Sequence, residues 1–248
     1  MEIFKKIDDL IVKNFTLEQL NYNHLDYMKD YNTGIFYNEN DDKINALSYG
    51  YGYDYRDYDP IIMNQDSFGS WISFKNIEKI LDYALYNQTN DKTFHNSNEF
   101  YINHKKTIFN SEAQNVIDDH FFCEIYKDKK LLINDILEGI KQANIFIEKY
   151  HLPFFEKFST LQDLNDKIIE KYDSSEWHIF FNENTNLKAI IIMKLCENKK
   201  YSQFAANYKL RVYKGIQEQN RNDLIPLYET ITRLIDYLDM GEYKNLDT

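Results

Sequence analysis

Glycine and proline are scarce: seven and three in 248 residues. That scarcity excludes collagen-like and Pro/Gly-rich low-complexity chains, and it leaves no Pro/Gly/Ser-rich linker to divide the chain into separate modules. Cysteine is rarer still. Cys123 and Cys196 stand alone, so neither a disulfide framework nor a Cys-x-x-Cys zinc site can be built. Their apolar and acidic neighbours favour buried thiols over nucleophiles. Long hydrophobic runs are missing as well. The longest, Ala189 to Met193, is far short of the roughly 20 residues of a membrane helix. The opening Met1-Glu2-Ile3-Phe4-Lys5-Lys6 lacks the basic, apolar, small-residue order of a secretory signal. A cytoplasmic protein with no membrane association is expected.

Catalytic signatures are equally sparse. No lysine-bearing phosphate loop and no Gly-x-Ser-x-Gly elbow is present. The nearest glycine pair, Gly50-Tyr51-Gly52-Tyr53, has neither a third glycine nor a helix after it. Of the six histidines, only His120, in Asp118-Asp119-His120, sits in a tight carboxylate cluster. Three consecutive helical residues point three ways and cannot converge on one ion without ligands from elsewhere. The expectation is a protein that is not an enzyme and uses no cofactor and no metal. A metal- or carboxylate-dependent hydrolase built on Asp118, Asp119 and His120 is the alternative.

What is abundant is negative charge and tyrosine. The net charge is −11, with 21 tyrosines and 17 phenylalanines. Residues 1–128 carry 22 acidic and 12 basic side chains, residues 129–248 carry 18 and 17. The excess acid therefore belongs to the first half. Such a field repels a phosphate backbone and speeds encounter with a basic protein.

Periodicity predicts an α+β order. Ile3, Phe4, Ile7, Leu10 and Ile11 form an amphipathic helix over 2–14. Residues 34–37 and 43–49 read as strands joined by the polar turn 38–42, and 68–74 as a further strand. Asn76 is the expected N-cap of a helix burying Ile77, Ile80, Leu81, Ala84 and Leu85. Residues 99–109 form a possible strand. The helical period then dominates, with a stripe over 129–150, a bend or restart at Pro153, a capping box from Thr160 to Asp163, and helices near 186–198, 201–219 and 223–239. A helix and small antiparallel sheet over 1–110, followed by a mainly helical part over 111–248 packed against it as one continuous unit, is the expected architecture.

One segment departs from this background. Ser48 to Pro60 reads Ser-Tyr-Gly-Tyr-Gly-Tyr-Asp-Tyr-Arg-Asp-Tyr-Asp-Pro. If extended, Tyr49, Tyr51, Tyr53 and Tyr55 share a face. Tyrosine gives rigid amphipathic contact area, and aspartate pairs with lysine or arginine. Tyr51, Tyr53, Asp54, Tyr55, Asp57, Tyr58 and Asp59 are therefore the expected partner-binding residues. The competing reading packs the tyrosines inward on the helix at 76–86.

The stretch Leu152-Pro153-Phe154-Phe155-Glu156-Lys157-Phe158-Ser159-Thr160-Leu161-Gln162-Asp163-Leu164-Asn165 resembles a phrase of uncharacterised bacterial proteins that look like immunity proteins. The resemblance implies an accessory binding role and no catalytic residue. Together these observations point to an acidic immunity-type protein that neutralises a basic, nuclease-like toxin domain. A helical scaffold docking partners through 186–239 is the further alternative.

Overall fold

The computed structural model describes residues 9–27, 33–50, 52–53, 61–64, 67–86, 105–114, 122–125, 133–181 and 183–245. It is α+β, with a five-stranded antiparallel sheet in the first half and mostly helix in the second. No helix among the described residues is long and apolar enough to cross a membrane.

The chain divides into two compact units, each made of two segments. Unit 1 takes Met1–Ile72 and Phe109–Lys157, and unit 2 takes Ser73–Ile108 and Phe158–Thr248. The division drawn from the sequence after residue 110 falls beside one of three crossings between them.

Unit 1 begins with α1 (9–14) and α2 (Thr16–Gln19), then β1 (Asn23–Tyr27), β2 (Thr33–Glu39) and β3 (Lys43–Gly50). β1 pairs antiparallel with β2, and β2 with β3. The hairpin turn is set by Asn40, whose Oδ1 accepts from the backbone N–H of Asp42 and of Lys43 (3.0 and 2.9 Å). This side-chain mimic of a turn is the reason Asn starts such connections. β6 (Phe68–Phe74) follows β3 in the sheet order β1-β2-β3-β6-β7, with β7 at Ile108–Phe109. Phe36 and Phe68 pack against Phe15, which lies between α1 and α2, and Ile35 and Ile44 are buried on the opposite face of the sheet.

Tyr49 belongs to this core. It is 1% exposed, edge-on to Phe15 at 5.6 Å, with its hydroxyl 3.0 Å from His24 Nε2. Its register partner is Gly34, and a Cβ on Gly34 would overlap the Tyr49 ring. Gly34→Ala should therefore cost about 1–3 kcal/mol through overpacking, read as a lowered midpoint in urea unfolding.

Unit 1 also contains α4 (Ser111–Gln114), β8 (Phe122–Ile125), α5 (Ile133–Phe146), a π turn (Ile147–His151) and α6 (Leu152–Lys157). The bend or restart expected at Pro153 falls at the junction of the π turn and α6. The helix runs through it, because the Leu152 N–H reaches back five residues to the Ile147 carbonyl. The wider register moves the carbonyl that the proline ring would strike in an α-turn.

In unit 2 the expected N-cap at Asn76 is also corrected. α3 spans Lys75–Tyr86, so Asn76 lies inside its first turn. β6 feeds the helix directly, and the Phe74 N–H is taken by Thr107 Oγ1 at 2.9 Å. α3 buries Ile77, Ile80, Leu81 and Ala84, with Leu85 half-buried. The expected capping box opens α7 (Leu161–Leu164): Thr160 Oγ1 accepts from Asp163 N–H, and Asp163 Oδ2 from Thr160 N–H. A second π turn follows at Asn165–Ile169. α8 (Thr185–Leu195), α9 (Tyr201–Gln219) and α10 (Ile225–Met240) then pack together, α8 and α10 also against α3. The apolar run Ala189–Met193 is buried all round, as expected of a helix with no solvent face. Arg233 Nη1 donates to the Ala84 carbonyl (2.5 Å) at the end of α3, and Tyr83 stacks on Tyr237 with centroids 3.9 Å apart.

Of the possible strand at 99–109, Ile108–Phe109 is the strand found, and 99–104 lie outside the described residues.

Candidate functional site

The Tyr/Asp segment is approached from a second, smaller sheet in unit 1. β4 (Gly52–Tyr53), β5 (Ile61–Asn64) and β8 form it in the order β4-β5-β8, all antiparallel. β3 ends at Gly50 in one sheet and β4 begins at Gly52 in the other. Tyr49 and Tyr53 therefore lie in strands of different sheets, and of the expected four-tyrosine face Tyr51 and Tyr55 lie outside the described residues, while Tyr49 packs inward. The reason is packing: Tyr49 is drawn into the space above Gly34, and it contacts Phe15, Phe36 and His24.

Tyr53 is paired with Ile61 across β4 and β5. The segment Asp54 to Pro60 thus leaves and re-enters the sheet at opposed positions of one ladder. Tyr51, Asp54, Tyr55, Asp57, Tyr58 and Asp59 lie outside the described residues, as do Asp118, Asp119 and His120. Cys123 lies in β8 opposite Met63. On the same unit the tip of the β2–β3 hairpin presents Glu39, Asp41 and Asp42 to solvent.

Two buried polar clusters carry chemistry that the sequence reading missed. The first joins α3, residues 105–107 and α8. Thr107 Oγ1 donates to Glu78 Oε1 at 2.7 Å, and Lys188 Nζ lies 3.5 Å from the same oxygen. Lys188 Nζ also donates to the Lys106 carbonyl at 2.6 Å, and Lys105 bonds Asp82, one turn beyond Glu78. Glu78 is 2% exposed and Lys188 3%. Burial lowers the Lys188 pKa, and the Glu78 carboxylate pulls it back up. A lysine of lowered pKa beside a carboxylate and a hydroxyl is the type of group found in active sites. Here Glu78, Thr107 and Lys188 are sealed from solvent and fully engaged with one another, so the cluster works as an internal clamp. A trace of it was present in the sequence: Glu78 and Asp82 are four apart on the buried side of α3, and Lys188 interrupts the apolar face of α8.

The second cluster is in unit 1. The Ser70 hydroxyl and His151 Nδ1 share a hydrogen bond of 2.8 Å. Nε2 of His151 has no hydrogen-bond partner among the described residues, and the ring lies against Phe68 and Phe146. Burial pushes the His151 pKa down to about 4. A serine–histidine pair is a nucleophile arrangement in a cleft. Ser70 and His151 are both buried, so this pair is an element of the core.

Cys196 is half-buried. Its thiol donates to the Leu161 carbonyl at 3.6 Å, and burial with the nearby Asp166 charge pushes its pKa up to about 11. That is an unreactive thiol at neutral pH.

No protein-family model, no curated protein and no solved structure matches the chain.

Proposed function

We propose that the protein is a non-enzymatic binding protein of immunity type. It takes a basic protein partner, such as a nuclease-like toxin domain, on acidic surface of its first half. The observation that carries this reading is the pairing of Tyr53 with Ile61. It holds both ends of the segment bearing Asp54, Asp57 and Asp59 at fixed, neighbouring points on a sheet, and connections on rigid scaffolds are where binding residues concentrate. The exposed Glu39, Asp41 and Asp42 of the β2–β3 tip add to the same field. The charge split along the sequence and the resemblance around Leu152–Asn165 support it. Such a role belongs in the cytoplasm, where a toxin would act.

The test is a triple substitution, Asp54→Asn, Asp57→Asn and Asp59→Asn, in the full chain. A basic partner recovered from lysate by salt elution is purified and its affinity measured for both proteins. We expect the variant to bind about tenfold or more weakly, equivalent to about 1.4 kcal/mol, with its thermal midpoint unchanged. Equal affinity removes this segment from the interface.

A further inference from the structure

The outward side of α9 differs in kind from the rest of an acidic protein. Its residues Lys209, Arg211 and Lys214 are answered on the helix by a single carboxylate, Glu218. None of the three has an ion-pair partner among the described residues. Lys209 instead lies over the ring of Tyr228, and Arg211 over the ring of Tyr208. At about 100° per residue, Leu210, Tyr213 and Lys214 share the centre of this side, with Lys209 and Arg211 on its two flanks. Leu210 is 50% exposed, Tyr213 44%, and Ile225, at the start of α10, 41%. Tyr213 meets Tyr228 of α10 at 5.7 Å, and Ile225 lies one turn before Tyr228. Leu210 and Tyr213 thus form an exposed apolar strip bordered by these cations, and on α10 the exposed Ile225 has Glu229 one turn on, all within unit 2.

We propose that this face is a second docking surface, which takes an acidic protein segment carrying an apolar anchor, such as the acidic amphipathic helix of a partner. Three arguments select that occupant. The cations lack carboxylates of their own, so an acidic partner supplies charge the fold leaves unanswered. The exposed Leu210 and Ile225 are matched by an apolar side chain, which a phosphate backbone does not offer. A second copy of this chain applied face to face would set Lys209, Arg211 and Lys214 against the same three cations. The surface is opposite in polarity to the one proposed for unit 1 and stands independently of it.

The experiment uses the full chain and three fluorescent probes: an amphipathic peptide of leucine and glutamate heptads, the same peptide with lysine for glutamate, and single-stranded oligothymidylate. Binding is followed by fluorescence anisotropy across a salt series. The glutamate peptide is expected to bind about tenfold or more tightly than the lysine peptide, and to weaken as salt screens the contact. K209E/R211E/K214E and L210S/Y213S should each abolish that preference. Because Lys209 is half-buried, K209Q/R211Q/K214Q provides the same reading with less strain on the fold. The proposal is overturned if the two peptides bind equally, if the glutamine variant retains full affinity for the acidic one, or if oligothymidylate binds more tightly than either, which would assign the face to a polyanion.

Discussion

Lys188→Ala is expected to lower the unfolding free energy by about 3–5 kcal/mol, the range for breaking a buried ion pair from one side. Two groups lose by it. Glu78, 2% exposed, keeps its Thr107 hydrogen bond but no longer has a cation beside it. The Lys106 carbonyl loses its 2.6 Å donor. An uncompensated buried carboxylate is the more costly of the two, since the ion is then stripped of both water and counter-charge. Lys188→Met with Glu78→Leu removes both charges at similar volume, so it should cost less than the single change, although the Thr107 hydroxyl then loses its acceptor. Urea unfolding followed by circular dichroism on Lys188→Met, Glu78→Leu and the double gives the coupling between them. A single-mutant loss below about 1 kcal/mol would show that Glu78 reaches solvent and that the clamp is not sealed.

The second expected result is a loss of stability in mild acid that originates at His151. Above pH 6.5 the imidazole is neutral in both the unfolded and the folded chain, and it contributes no pH dependence. Below that point the unfolded chain takes up a proton. The folded one does not until about pH 4, since burial opposes the charge and Nε2 has no acceptor to receive the new N–H. Stability therefore falls as pH drops through this window, by about 1.4 kcal/mol per pH unit and about 3 kcal/mol in all. Asp163 adds a loss at lower pH, because its carboxyl is held well below the usual range by Lys167, Thr160 and Ser159. The histidine contribution is isolated by comparing the chain with a Ser70→Ala, His151→Phe double variant, which removes the titrating group and its hydroxyl partner together. The midpoint of the double variant minus that of the parent should fall steadily from pH 4 to about pH 6.5 and stay constant above it. A constant difference would place the acid sensitivity elsewhere.

Where the fold is set by neighbours along the chain, sequence reasoning reached it. The hairpin around Asn40, the strand Phe68–Phe74, the Thr160–Asp163 box and the three last helices all rest on period, turn chemistry or caps within a few residues. The departures come from partners far away in sequence. α3 starts one residue before Asn76 with the Phe74 N–H already bound by Thr107, 33 positions on. Lys188 is buried because a carbonyl 82 positions earlier receives it. Any pattern that counts lysine and glutamate as surface places both members of that clamp outside. Tyr49 was read as one rung of an exposed or helix-facing ladder. A glycine on the neighbouring strand, Gly34, makes the cavity that takes it, and that pairing is not visible until the register of β2 and β3 is known. Pro153 shows a limit of another kind, since the expected bend or restart gave no form for it. Local rules forbid it in an α-turn and are silent about the π turn that admits it.

The interleaving of the two units has a consequence for biosynthesis. Unit 1 has its last residues once Lys157 has been made, whereas unit 2 has had only Ser73–Ile108 up to that point. Ile77, Ile80, Leu81 and Ala84 of α3 are therefore synthesised long before α8 and α10, the helices they pack against. A nascent chain carries that apolar stripe without its partners until translation is well past Phe158, a state prone to association with other chains or with chaperones. Premature termination ahead of α8 would leave the stripe permanently unmatched. The C-terminal helices thus determine not only how stable the finished protein is but how long each growing copy remains vulnerable.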